Sequence, residues 1–531
     1  MTPPTLVLGN IRTTDGPTAG AMAVLDGQIA GVGNPDAVRA LLPPGAAVID
    51  HGNGTVLPGF IDSHHHLLWT GMAAVRADLS PAANVSDLLV RVREWAETHQ
   101  DRPWIVSAEG WEVGDLTEQR YPTRAELDRV CPDRPVYLPR GGHAGVANSA
   151  ALALAGIDDD TPDPAGGVIC RDEDGHANGL LLELARDLVG ALVPPPTTEE
   201  RVEALASAQA RCLENGITRV VDPGLTPDEL TAYRAAAADG RLHVRATLLG
   251  LVSSGHTAVR DAQQFLPMLR DPEWDDRLCL AGLKVFLDGG GSLGTAWLHE
   301  EYPERPGYHG EQLMEQDDLD ALCAYALANG IPLGVHTVGD AAIDSALSSI
   351  ARLGPPEIVR RAGFSLIHAY LWPSDRARAT AAELGVAVAV QPGMYARFAD
   401  VLAERFGWEA TLEASPLRSW LASGVTLGGG SDSPITASTP LHGIWHAVTR
   451  WHDGRMLNAD ECLTREQAFD LYATGAAEVA LVPGREGVLR PGARADWVVL
   501  DGDPFTCPVA DLPDLSVTAT AVAGRVVHQT A

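Results

Sequence analysis

GTVLPGFIDSHHH, residues 54–66, is a short apolar run that begins at a glycine and ends in three histidines. Its β-branched and aromatic residues, bounded by Gly and Pro, read as a strand. On a strand His64 and His66 point the same way and His65 the other. Seven more runs of this kind follow: ITRVVDPG (217–224), LHVRATLLGL (242–251), LAGLKVFLDG (280–289), PLGVHTVGD (332–340), FSLIHAYL (364–371), VAVAVQPG (386–393) and VTLGGGSD (425–432). Amphipathic helical stretches alternate with them, the βα rhythm of a parallel sheet with helices outside. Eight such units predict an α/β fold, a TIM (β/α)8 barrel, with its chemistry at the C-terminal strand ends.

The long gap between the first and second runs, about residues 72–213, reads as a large insertion over the barrel mouth. Both ends of the chain read differently. TLVLGNIRTTDG and AAVIDHGNGTVLPG at the start, and ARADWVVLDGDPF and SVTATAVAGRVVHQ at the end, alternate short β runs with turn residues. The expectation is a composite β-sandwich domain from 1–57 and 481–531, flanking a barrel domain over 58–480.

Composition narrows the function. A formal net charge of −31 repels phosphate backbones and argues against nucleic acid as a partner. Seven scattered cysteines without a CxxC pair suit free thiols in a reducing cytoplasm. The start lacks a secretory pattern, and no apolar segment is long enough to span a bilayer, so no membrane partner is expected.

Lys284 is the single lysine in a chain with 39 lysines and arginines. Arg stays protonated, whereas a buried Lys can become a neutral nucleophile, a Schiff base or a carbamate. Lys284 lies in the fourth run, His336 ends the fifth, His368 the sixth and Asp432 the eighth, so with His64 and His66 six ligand-type side chains share one end of the barrel. Each has a structural alternative: a hydrogen-bonded core histidine, a surface tract, a helix cap for Asp432. Separate core roles do not explain the shared strand end, and imidazole with carboxylate is a ligand set for zinc-like ions.

LPGFIDSHHHL resembles the HxH signature of the metal-dependent amidohydrolase superfamily. LKVFLDGGGSLGTAWL, GVHTVGDAAIDSAL, LIHAYL, VQPGMY and GGGSDSPITASTPLHGIWHAVTR resemble the motifs of amidohydrolase family 3, a branch that includes N-substituted formamide deformylases. The resemblance implies a divalent metal, zinc above all, as one or two ions. One would be held by His64 and His66, a second by His336 and His368, bridged by carbamylated Lys284 and completed by Asp432 as ligand and proton acceptor. It implies hydrolysis of a C–N amide bond in a small molecule, an N-substituted formamide or other N-acyl compound. Ile367 stands where the family often has Glu, GGGSLGTAW carries an extra Gly, and Gly145 falls where a Trp is common. These departures touch the substrate pocket rather than the ligands.

Pocket candidates come from the insertion and the loops. His143 joins Asp432 as a catalytic candidate, Arg140 and Asn148 as polar contacts to substrate, and Trp69, Trp111, Trp297 and Met394 as apolar lining. Rival readings are a Schiff-base lysine lyase or aldolase on the same barrel, a deaminase on the same ligands, and a non-catalytic relative. A homodimer is the expected assembly.

Overall fold

Eight apolar segments form one parallel sheet: β1 (Phe60–Asp62), β2 (Ile217–Leu225), β3 (Arg245–Leu251), β4 (Leu278–Phe286), β5 (Leu333–Thr337), β6 (Ser365–His368), β7 (Ala387–Val390) and β8 (Leu427–Gly429). The computed structural model describes residues 3–13, 18–140, 144–164 and 167–530. Strands adjacent in sequence are hydrogen-bonded neighbours from β1 through β8. Every position of β2, ITRVVDPGL, is buried, as befits a strand with helices on one face and the barrel interior on the other. The first and last strands then meet. Ser63 N–H donates to the Gly429 carbonyl at 2.9 Å, and Asp432 N–H to the His64 carbonyl at 2.7 Å. These bonds close the TIM barrel that the sequence rhythm predicts.

The helices outside begin where the sequence supplies caps. Thr197 accepts the N–H of Glu200, whose carboxylate takes the N–H of Thr197, opening the helix Thr198–Glu214. Such a cap contributes about 1 kcal/mol. This helix packs against the turn after His66 so closely that a Cβ on Gly71 would sit 1.9 Å from the Ala204 carbonyl oxygen. The last part of the stretch 72–213 is therefore barrel wall rather than insertion.

The insertion carries its own five-stranded sheet, ordered Ile105–Val106, Val136–Arg140, Ala144–Ala147, Ala177–Glu183, Gly167–Arg171. It reaches the barrel mouth at Gly110, where a Cβ would meet Pro434 at 3.1 Å, two residues from Asp432. Arg397 and Asp115 tie it down again at 2.8 Å.

Both chain ends share one seven-stranded sheet, in which Ala47–Pro58 lies between Thr5–Ile11 and Trp497–Leu500. It is joined to the lower part of the barrel by buried charge. Arg219 in β2 donates to Glu486 at 2.6 and 2.8 Å, and Arg245 in β3 to Asp496 at 2.6 and 3.1 Å. Truncating one partner of such a buried pair costs about 3–5 kcal/mol. Among the described residues no helix is long and apolar enough to cross a membrane.

Candidate metal centre

The turns and strand ends at the open side of the barrel carry the polar residues. His64 and His66 follow β1, Lys284 lies within β4, His336 within β5, His368 closes β6 and Asp432 follows β8. Alternation sends His65 the other way, with Nε2 3.6 Å from Sγ of Cys212. The four remaining imidazoles form a chain. Ring centroids are 5.1 Å apart for His66 and His64, 5.1 Å for His64 and His368, and 4.8 Å for His368 and His336. Buried Lys284 places Nζ 4.5 Å from the ring centroid of Phe286, which itself contacts His336 at 4.8 Å.

The tightest group is His64, His66 and Asp432, whose ligand atoms all lie within 4.8 Å of one another. Nε2 of His64 and Nε2 of His66 stand 3.2 and 3.4 Å from the same atom, Oδ1 of Asp432. Nε2 of His64 is buried, and its 3.2 Å contact with Asp432 lacks the direction of a hydrogen bond, so among the described residues that atom is left unsatisfied. Buried polar atoms are almost always satisfied, and two imidazoles with a carboxylate converging on one point are the donor set of a divalent ion. The residues present fit such an ion.

Electrostatics keep these donors in the protonation state that a metal needs. Burial, reinforced by repulsion from Lys284, pushes His64 well below the ordinary imidazole range. Burial and neighbouring His336 lower His368 to about 3. Burial would raise the Asp432 carboxyl, but contacts with His64 and His66 outweigh it and hold Asp432 well below the usual carboxylate range. Burial lowers Lys284 to about 8, against the pull of Asp432. Two site residues also sit in the left-handed backbone region, His368 at φ 76° and Asp432 at φ 55°. Each such non-glycine position costs on the order of 1–3 kcal/mol. The Asp432 turn is held by its bond to the His64 carbonyl and by Ile435 N–H donating to the Asp432 carbonyl at 2.8 Å.

The remaining candidates divide. Trp69 is 40% exposed and stacks on His66, with centroids 4.5 Å apart and planes at 16°. Met394 is buried in an apolar cluster with Tyr370 and Leu371, directly beyond His368. Trp297 is half-buried, and its backbone N–H donates to Asp288 at 3.1 Å. Asn148 is a correction. It is fully buried, accepts the N–H groups of Val136 and Ala151 at 2.9 and 3.0 Å, and donates to the carbonyls of Cys131 and Arg134 at 3.0 and 2.9 Å. With both lone pairs and both N–H groups engaged by backbone, it is an internal tie of the insertion and has nothing left for substrate. Arg140 is paired with Glu112, and Trp111 is core, donating to the Pro139 carbonyl at 2.9 Å. His143 lies outside the described residues.

Four polar residues behind the centre were not anticipated. Asp62 Oδ1 accepts the N–H of His64 at 3.2 Å and of Ser431 at 3.0 Å, fixing both edges of the seam. Asp222 places Oδ1 3.9 Å from Nδ1 of His66. Asp288 places Oδ1 3.2 Å from Nδ1 of His336. Gln391 Oε1 is 2.8 Å from Nδ1 of His368. The signal was present: the runs FID, VVD and FLD each end in Asp at the strand end where the imidazoles gather.

The sequence matches the amidohydrolase family over residues 47–528. The chain belongs to that family. It is 33% identical over 526 residues to the putative amidohydrolase YtcJ of Bacillus subtilis, covering 97% of each chain. It is 32% identical over 535 residues to the N-substituted formamide deformylase of Arthrobacter pascens, covering 98% of this chain and 97% of that relative. Among solved structures it resembles an uncharacterized metal-dependent hydrolase from Pyrococcus horikoshii, with TM-score 0.79 and 25% identity over 96% of this chain and 99% of that one. This amidohydrolase is thus a hydrolase with a divalent metal centre, in the family and on the fold expected from its motifs.

Proposed function

We propose that this amidohydrolase cleaves the C–N bond of an N-acyl amine, with N-substituted formamides as the leading substrate class. The observation that carries this reading is the buried convergence of His64, His66 and Asp432 within 4.8 Å, beside the unique amine of Lys284. The substrate class is supported by the deformylase relative and by apolar side chains beside the centre, Trp69 stacked on His66 and Met394 clustered with Tyr370 just past His368.

Zinc suits an imidazole and carboxylate set, and such an ion, when bound, lowers the pKa of a water from 15.7 to about 7 and polarises the substrate carbonyl. Asp432 accepts the proton of the attacking water as the C–O bond forms. It delivers that proton to the nitrogen as the C–N bond breaks, releasing an acid and an amine. Lys284 adds CO2 through its neutral amine: an N–C bond forms, a proton is released, and the side chain becomes an anionic oxygen ligand. His336 and His368 would hold a second ion with that carbamate. The seven free thiols support a reducing, cytoplasmic setting, and we assign a homodimer, which light scattering checks.

The test is metal analysis of the purified protein together with amine and acid release from a panel of N-substituted formamides and longer N-acyl amines. Zinc in the protein and formate from the formamides are expected. A zinc-replete protein that releases no amine from any member would overturn the reading.

A further inference from the structure

Asp288 lies just beyond β4 with no solvent exposure. Its carboxylate gathers donors from two segments, residues 336–339 and the loop at Trp297. Oδ1 takes Val338 N–H at 2.9 Å and faces Nδ1 of His336 at 3.2 Å. Oδ2 takes the N–H groups of Gly339 and Trp297 at 2.8 and 3.1 Å. The backbones it joins touch: a Cβ on Gly339 would lie 1.9 Å from the Trp297 carbonyl oxygen. An acceptor already fed by three fixed N–H groups cannot turn away from His336.

We infer that Asp288 is a positioning residue that fixes His336 as its Nδ1–H tautomer. Nδ1 donates to Oδ1 of Asp288, so Nε2 is the ring nitrogen that would serve as the donor to a metal. A carboxylate behind a ligand histidine orients the ring and strengthens it as a donor, and losing such a partner typically weakens metal affinity by about 10–100-fold. Asp288 also anchors the segment carrying Trp297 through its backbone N–H, so one side chain ties that segment to the strand end that carries His336. Gln391 holds His368 in the same sense but without charge, its own amide fixed by donation to the Ala389 carbonyl at 3.1 Å.

Two measurements test this. In metal-free wild-type protein with 15N-labelled histidine, the His336 side chain, assigned by its loss in His336→Gln, should show a protonated Nδ1 and an unprotonated Nε2. The opposite tautomer overturns the inference, and this arm requires no folded Asp288 variant. The second arm rests on the metal-centre reading and measures Zn2+ affinity by chelator competition in bicarbonate buffer. Asp288→Asn should weaken the second Zn2+ by about 10–100-fold in the wild-type background and change nothing in His336→Ala. Equal losses in both backgrounds would mark general damage and overturn the inference. If the wild type binds no Zn2+, the metal-hydrolase reading fails, and the tautomer alone decides the role of Asp288.

Discussion

His64 and Asp432 are joined twice across the barrel seam: Asp432 N–H donates to the His64 carbonyl at 2.7 Å, and Oδ1 of Asp432 stands 3.2 Å from Nε2 of His64. The first contact belongs to the backbone and survives substitution of the side chain. The second is the contact on which the proposed proton transfer depends. Asp432→Asn should therefore melt within a few degrees of the wild type while kcat/KM falls by about 10²–10⁴-fold, the range for loss of a general acid-base group. Thermal unfolding and amine release measured side by side check it, and a fully active variant would remove Asp432 as the proton carrier.

Lys284 supplies a pH prediction. Burial brings its amine from 10.5 to about 8, and only the neutral amine reacts with CO2. At fixed dissolved CO2, metal uptake by metal-free protein should speed up about tenfold per pH unit below 8 and level off above it. Labelling with 13CO2 should give a carbamate carbon signal that is absent from Lys284→Ala. Uptake that ignores CO2 would leave the bridge unsupported.

Buried imidazoles should make the metal-free protein sensitive to acid. His65 and His368 are both lowered from 6.5 to about 3 by burial. Between those values the unfolded chain binds more protons than the folded one, so stability falls as pH falls through that window, by up to about 1.4 kcal/mol per unit for each group. Urea unfolding at pH 6.5 and pH 5 should show the loss, and His65→Gln should flatten it. An unchanged slope in that variant would assign the acid sensitivity elsewhere.

Asn148 and Trp69 should separate cleanly. Asn148→Ala strands buried backbone groups, about 1–3 kcal/mol for each group left unsatisfied, so it should lower the melting temperature and leave KM unchanged. Trp69→Ala removes an exposed ring stacked on His66; it should raise KM several-fold with little change in stability. Reversed effects would return Asn148 to the substrate site.

The barrel and the histidine-bearing ends of its strands were legible because both are periodic: strands recur at βα spacing, and a two-residue repeat decides which histidines face inward. His64, His66 and Asp432 come together as that logic requires. The role of Asn148 was not legible, because whether a polar side chain faces a ligand or ties up backbone depends on contacts made by chain far from it in sequence. The same holds for Asp222 and Asp288, whose place at the run ends is visible in the sequence but whose histidine partners are not. Their meaning comes from the imidazoles behind which they stand.

The shared terminal sheet has a consequence for vectorial synthesis. The strand Ala47–Pro58 leaves the ribosome early, yet its partner Trp497–Leu500 comes near the end of 531 residues. At elongation speeds of about 5–20 residues per second its edge stays open for about 20–90 s, an interval in which the nascent polypeptide is exposed to pairing with the same edge on a neighbouring chain.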